Sequence, residues 1–300
     1  VALAYQERYR RHLVARYADH PAVMGWKLWS EINLTAGGGN LRPWHEQATA
    51  RWKALDPYRH PLTTHWAGDY HSPGRDIVAL PGLDYVCIDA YHGRKAERPG
   101  ILLAQLVRDS TLDAAAGLGS FGKPVLITEF GGSAHACPEP QLLAEHATGP
   151  WAALMSGQAG GPMLWWFEWV DQYDRYQPYR AVARFLAGED LRGPAKAGRM
   201  LAATSPAGAL WASCWAGPGD LLAYILDHGW GYQGGEAPVH ERATVTIGAE
   251  VKAGRMRAEW WDADSGERRG EEFISHPGGR LDLAIPVFQR HLALKLRRLP

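Results

Sequence analysis

A disulfide or zinc framework is missing from this chain. Its 300 residues contain three cysteines, Cys87, Cys137 and Cys214, far apart, odd in number and without a CxxC pair. Cys87 stands in an apolar, strand-like run and is expected to pack as a small buried hydrophobe. No apolar stretch is long enough to cross a bilayer, and no secretory leader is recognisable. Val1 stands where Met would, inside a helix-like pattern, so the true N-terminus is expected upstream. Net charge is missing too. The 32 basic residues balance 32 acidic ones with no run of either sign, which argues against nucleic acid or an anionic membrane as partner. There is no internal repeat, no low-complexity tract, no GxSxG and no HExxH. The loop Gly37-Gly38-Gly39-Asn40 lacks the Lys-Ser/Thr ending of a phosphate cradle.

What is present is a composition fit for a large core, 46% hydrophobic and 21% charged, with 14 tryptophans. A Trp face stacks on the C–H face of a pyranose while its N–H bonds a hydroxyl, although Trp is also a large core residue.

Along the chain, Leu3, Tyr5, Tyr9, Leu13, Val14 and Tyr17 recur at roughly helical spacing over 2–18. Asp19-His20-Pro21 stops that helix. Apolar strands are expected at 23–29, 61–66, 83–91, 123–129 and 162–167, with helices at about 43–55, 99–116, 140–156 and 178–186. This alternation implies a parallel sheet with helical crossovers. Past Gly193 the helical period disappears. Short β-rich runs at 209–215, 221–226, 243–247, 256–261, 281–285 and 291–296 predict an antiparallel sandwich. Domains are therefore expected at 1–192 and 193–300. The second domain's Trp211, Trp215, Trp230, Trp260 and Trp261 read as core or interface residues, with a second sugar site as the alternative.

Two carboxylates stand out. Glu31 and Glu129 each end a buried strand run, in Trp29-Ser30-Glu31 and Ile127-Thr128-Glu129-Phe130-Gly131-Gly132. A carboxylate is costly in a core, so one placed where a strand surfaces sits at a rim. In a (β/α)8 barrel the rim at the C-terminal ends of the strands carries the active site. Two carboxylates across a sugar ring are the working parts of a glycosidase. Structural ion pairing of the two is the competing reading.

These segments resemble retaining glycoside hydrolases of clan A, most like family 5, over residues 1–192. The run from His20 to Glu31 resembles strand 4, Leu83 to Tyr91 strand 6, Gly122 to Gly131 strand 7, and Leu164-Trp165-Trp166 strand 8. The resemblance implies strands 4 to 8 of the barrel, Glu31 as acid/base, Glu129 as nucleophile, Tyr91 as a donor to Glu129, and no metal or organic cofactor. It also implies a β-linked glucan or mannan-like substrate and a secreted or periplasmic location. Ser30, His65, Trp66, Asp89, Tyr91, His92, Trp166 and Trp169 are the candidate substrate-binding residues. Two departures bear on substrate class. Ser30 replaces the usual Asn, and Asp89 replaces the usual His. They leave a non-catalytic carbohydrate-binding protein as the alternative. Five strands leave an open sheet edge, so three preceding strands, a family Arg among their residues, are expected in the same longer polypeptide.

Overall fold

The computed structural model describes residues 2–67, 74–91, 117–132, 137–192, 197–248 and 251–300. The helix expected at 99–116 and the boundary near Gly193 lie outside these residues.

The first half is a parallel array in chain order. Helix α1 (Ala2–Tyr17) leads to β1 (Trp26–Lys27), α2 (Leu41–Leu55), β2 (Leu62–Thr63), β3 (His65–Trp66) and the short α3 (Arg75–Val78). Then follow β4 (Val86–Ala90), β5 (Val125–Phe130), α4 (Glu139–Met155), β6 (Met163–Leu164), α5 (Phe167–Gln172) and α6 (Gln177–Leu186). β1 pairs parallel with β2, and β3, β4, β5 and β6 form a parallel four-stranded sheet in that order. The bond from His65 N–H to Trp29 O, 3.2 Å, carries the first ladder across to β3. β1 is shorter than its apolar run because, among the described residues, it is bonded on one side only.

The outer face of this sheet packs on helices through Ile77, Val78, Leu83, Val86, Ile88, Ile127, Phe130 and Leu142. α4 approaches β5 closely at Gly149, where an added Cβ would lie 2.2 Å from the Phe130 ring. α1 departs from its expected stripe. Leu13 and Val14 pack on Trp26, Trp52 and Leu62, while Leu3, Tyr5, Tyr9 and Tyr17 stay exposed.

The second half is antiparallel. A six-stranded sheet runs in the order β13-β12-β15-β10-β9-β7, comprising β7 (Ala197–Met200), β9 (Leu210–Ala216), β10 (Asp220–Asp227), β12 (Gly254–Asp262), β13 (Glu267–His276) and β15 (His291–Arg298). A three-stranded sheet holds β14 (Leu281–Ile285), β11 (Ala243–Ile247) and β8 (Ala202–Thr204). The sheets share one core, in which Leu221, Ala223, Ile225, Leu292, Leu294 and Leu296 of the larger meet Val245, Ile247, Leu283 and Ile285 of the smaller. Helix does not vanish here as expected. α7 (His228–Gln233) follows β10 because the Asp227 carboxylate accepts from Trp230 N–H at 2.6 Å and caps it. β13 left no alternating signal because nearly all of Glu267–His276 is exposed and half of it is charged, as suits an edge strand.

The larger sheet buries its other face on the first half. Leu222, Tyr224 and Leu226 alternate with the core residues of β10 and meet Trp151 and Met155 of α4 and Val182 and Phe185 of α6. Trp151 stacks on Tyr224 at 5.5 Å and donates to Ala263 O at 3.2 Å. Within this interface Glu189 accepts from Lys295 at 2.6 Å and from Arg297. Among the second-half tryptophans, Trp211, Trp230 and Trp260 are buried and Trp215 and Trp261 half-buried, as core and interface residues are.

Candidate active site

The C-terminal ends of β3, β4 and β5 bring one group of side chains together. In a parallel ladder Asp89 would face Thr128. An irregularity after Ile88 instead sets Asp89 beside Glu129, so two carboxylates become lateral neighbours. His65, on β3, turns to the same side. Its Nε2 bonds Asp89 Oδ1, and the ligating atoms of His65, Asp89 and Glu129 all lie within 4.8 Å of one another. Among the described residues these three could ligate a cation, but His65 and Asp89 already engage each other. Asp89 Oδ2 is buried without a hydrogen-bond partner among the described residues. The Tyr91 hydroxyl donates to Glu129 Oε2 at 3.0 Å, as expected of this residue.

The electrostatics follow from this crowding. Burial raises the Glu129 proton affinity above the ordinary carboxylate value, and the charge of Asp89 raises it further. The Tyr91 hydrogen bond and His65 pull it down, and Glu31 pushes it up. Glu31 is thus near enough for its charge to act on Glu129 and on Tyr91. Burial and then Glu129 drive the Tyr91 phenol well up, so it stays a donor. The Cys87 thiol is pushed up to about 11, chiefly by burial, and packs in the core as expected.

Glu31 sits on the turn that leaves β1, at φ 49° and ψ 49°. A side-chain-bearing residue occupies this left-handed region at a cost of about 1 kcal/mol. The turn is held by Leu34 N–H to Glu31 O at 2.9 Å. Asn33 bonds Ala67 in both directions, through Nδ2 to Ala67 O at 3.0 Å and Ala67 N–H to Oδ1 at 2.8 Å, tying this turn to the end of β3. Ser30 is exposed, with Oγ 3.1 Å from His65 Nδ1.

The other candidates are placed differently. Strand alternation turns Trp66 away from His65 and into the helix-facing core, where it is buried against Gly74 and near His45, so it does not line the site. Trp166 is half-buried and donates to Gly131 O at 3.2 Å, directly behind Glu129. Gly131 has φ 120°, and an added Cβ would meet Leu164 at 2.5 Å, so only glycine lets the chain turn there. Trp169 is half-buried under the Arg175 guanidinium, 4.1 Å from the ring centre. A network of loop side chains forms around it. Arg175 pairs with Glu139 at 2.9 Å, Arg180 with Asp174 at 2.8 Å, and the Tyr176 hydroxyl bonds Asp171 at 2.9 Å. His92 lies outside the described residues.

Sequence reasoning passed over Glu145. Fully buried on α4, it accepts from Gly132 N–H and so supports the turn after Glu129. The available signal was an acid among Leu142, Leu143 and Ala144, an apolar stretch of a helix. Trp165 and Phe167, 38% and 50% exposed, are aromatic faces just past the end of β6 that it also passed over.

No protein-family model matches the chain. Mannan endo-1,4-beta-mannosidase 2 of Oryza sativa subsp. japonica is 25% identical over 188 residues, covering 52% of this chain and 42% of that protein. The chain thus spans less than half the length of this relative. Among solved structures, a glycoside hydrolase family 5 protein from Bacteroides vulgatus ATCC 8482 matches 98% of this chain and 66% of its own, with a TM-score of 0.59 and 14% identity. The family 30 subfamily 8 xylanase of Clostridium acetobutylicum matches 98% of this chain and 71% of its own, with a TM-score of 0.57 and 14% identity. The chain shares the fold of these glycoside hydrolases, in agreement with the resemblance carried by the Glu31 and Glu129 segments.

Proposed function

We propose that this chain is the catalytic portion of a retaining glycoside hydrolase acting on a β-linked glucan or mannan-like glycan. In this reading residues 1–192 supply strands 4 to 8 of a (β/α)8 barrel and residues 193–300 a β-sandwich. The observation that carries it is Glu129 at a parallel strand end, held by the Tyr91 hydroxyl at 3.0 Å and within electrostatic reach of Glu31. The mannosidase match and the family 5 and 30 folds support the reaction class.

In the first step Glu31 gives its proton to the glycosidic oxygen while Glu129 attacks the anomeric carbon. The bond to the leaving sugar breaks and a glycosyl ester forms. Water then attacks the same carbon, Glu31 takes its proton, and Glu129 leaves as carboxylate. Tyr91 keeps one Glu129 oxygen occupied, which leaves the other for attack. Burial and Asp89 favour protonated Glu129, so the working enzyme needs a positive group facing it. The raised proton affinity of Glu129 also favours a second reading, a non-catalytic protein that binds glycans in the same groove.

The test uses the full-length protein and aryl β-mannosides and β-glucosides. Glu129→Ala is expected to lower turnover by about 10⁴-fold or more with no rescue to a retained product by azide. Glu31→Ala is expected to spare glycosylation by good leaving groups, with azide rescuing the second step. The reverse azide pattern exchanges the two roles, and absence of turnover in the wild type with retained glycan binding establishes the second reading.

A further inference from the structure

Ser30 is the exposed end of a buried hydrogen-bond chain. Its Oγ lies 3.1 Å from His65 Nδ1, His65 Nε2 meets Asp89 Oδ1, and His65 and Asp89 are fully buried. An ionised carboxylate only accepts, so it holds the imidazole proton on the nitrogen that faces it. In the neutral ring Nδ1 is then left with a lone pair, and the Ser30 hydroxyl donates to it. Toward a ligand, Ser30 has lone pairs alone to offer.

The second half contains the same chain in closed form. Ser205 Oγ lies 2.7 Å from His240 Nδ1, and His240 Nε2 lies 3.0 Å from Asp227 Oδ2. With its proton committed to the imidazole, Ser205 Oγ accepts from Ala207 N–H at 3.2 Å. The backbone thus takes the lone pair that this geometry leaves over. No second partner, backbone or side chain, bonds the Ser30 hydroxyl among the described residues, and it stands next to Glu31.

We infer that Ser30 determines specificity by accepting a hydrogen bond from one hydroxyl of the bound sugar, and that His65 and Asp89 are positioning residues that fix this polarity. The ligand rests on the glycan reading proposed above. A Ser–His–Asp order also suits a nucleophile, and the test separates the two.

The full-length protein, wild type and Ser30→Ala, is titrated with β-mannobiose, β-cellobiose and their monodeoxy and monodeoxyfluoro derivatives. Fluorine accepts but cannot donate. At one ring position both replacements are expected to weaken wild-type binding about tenfold, and Ser30→Ala is expected to bind parent and derivatives alike. A fluoro derivative that binds like the parent, or an unchanged pattern in Ser30→Ala, overturns the inference. Nitrogen-15 NMR of the histidine rings, without ligand, is expected to show His65 protonated on Nε2 alone, and a proton on Nδ1 overturns it. Aryl acetate hydrolysis lost in Ser30→Ala overturns it by making Ser30 a nucleophile. Failure of every sugar to bind sinks the glycan reading and takes this ligand with it, whereas a proton on Nδ1 sinks the inference alone.

Discussion

The two halves build the same three-residue chain and leave it in opposite states. In the antiparallel half, both oxygens of Asp227 are used, one by His240 and one by the Trp230 N–H that starts α7. In the parallel half, Asp89 uses one oxygen, its other is buried without a partner among the described residues, and a second carboxylate stands beside it. A satisfied buried network stabilises, and a part-satisfied one is tolerated where it does something else. Under the proposed function the second half is scaffold and the strand ends of the first are the working surface.

The comparison can be broken most forcefully at the seam. Trp151→Ala removes a fully buried ring that stacks on Tyr224 and touches Phe185. Denaturant unfolding followed by fluorescence is expected to show a loss of about 3–5 kcal/mol. A loss under about 1 kcal/mol would mean that the second half does not brace the first.

The same substitution in both chains sharpens the contrast. Asp227→Asn sets an amide donor against one of two N–H donors, and is expected to cost about 1–3 kcal/mol. Asp89→Asn disturbs one bond, can turn its amide toward the unpartnered side, and removes a charge beside Glu129. It is expected to cost less in thermal or denaturant unfolding. Equal losses would erase the distinction between scaffold and site.

The smallest effect is the pH dependence of Glu129. Its raised native value means that the folded state holds this proton more tightly than the unfolded chain. Stability therefore falls as pH rises from the ordinary carboxylate value through the raised one. Glu129→Gln is expected to remove that fall. Thermal melts should show the variant gaining on the wild type as pH rises through this window, and parallel profiles would show that Glu129 is not held in a proton-favouring environment.

The division between legible and hidden follows burial. Val125–Phe130 and Leu221–Leu226 announced strands because their side chains are buried or half-buried, while Glu267–His276 was silent because an exposed edge strand owes its place to its neighbour β12. Glu31 and Glu129 were legible because an acid ending an apolar run has one cheap place to go. Tyr91 was legible only through the resemblance. Trp66 misled because His65-Trp66 reads as one strand end, and alternation sends the two rings to opposite faces.

By itself the sequence determined the alternation of strands and helices, the change to antiparallel β structure in the second half, and two carboxylates at or just past strand ends. These follow from the period and cost of burying side chains, which are local properties. Only the tertiary structure decided that Asp89 stands beside Glu129, because one irregularity in a ladder sets that register. It alone joined Ser30 to His65 and His65 to Asp89, residues 35 and 24 positions apart in the chain. Side-chain polarity is written in the sequence, but which lone pair is left over depends on every partner that packing supplies.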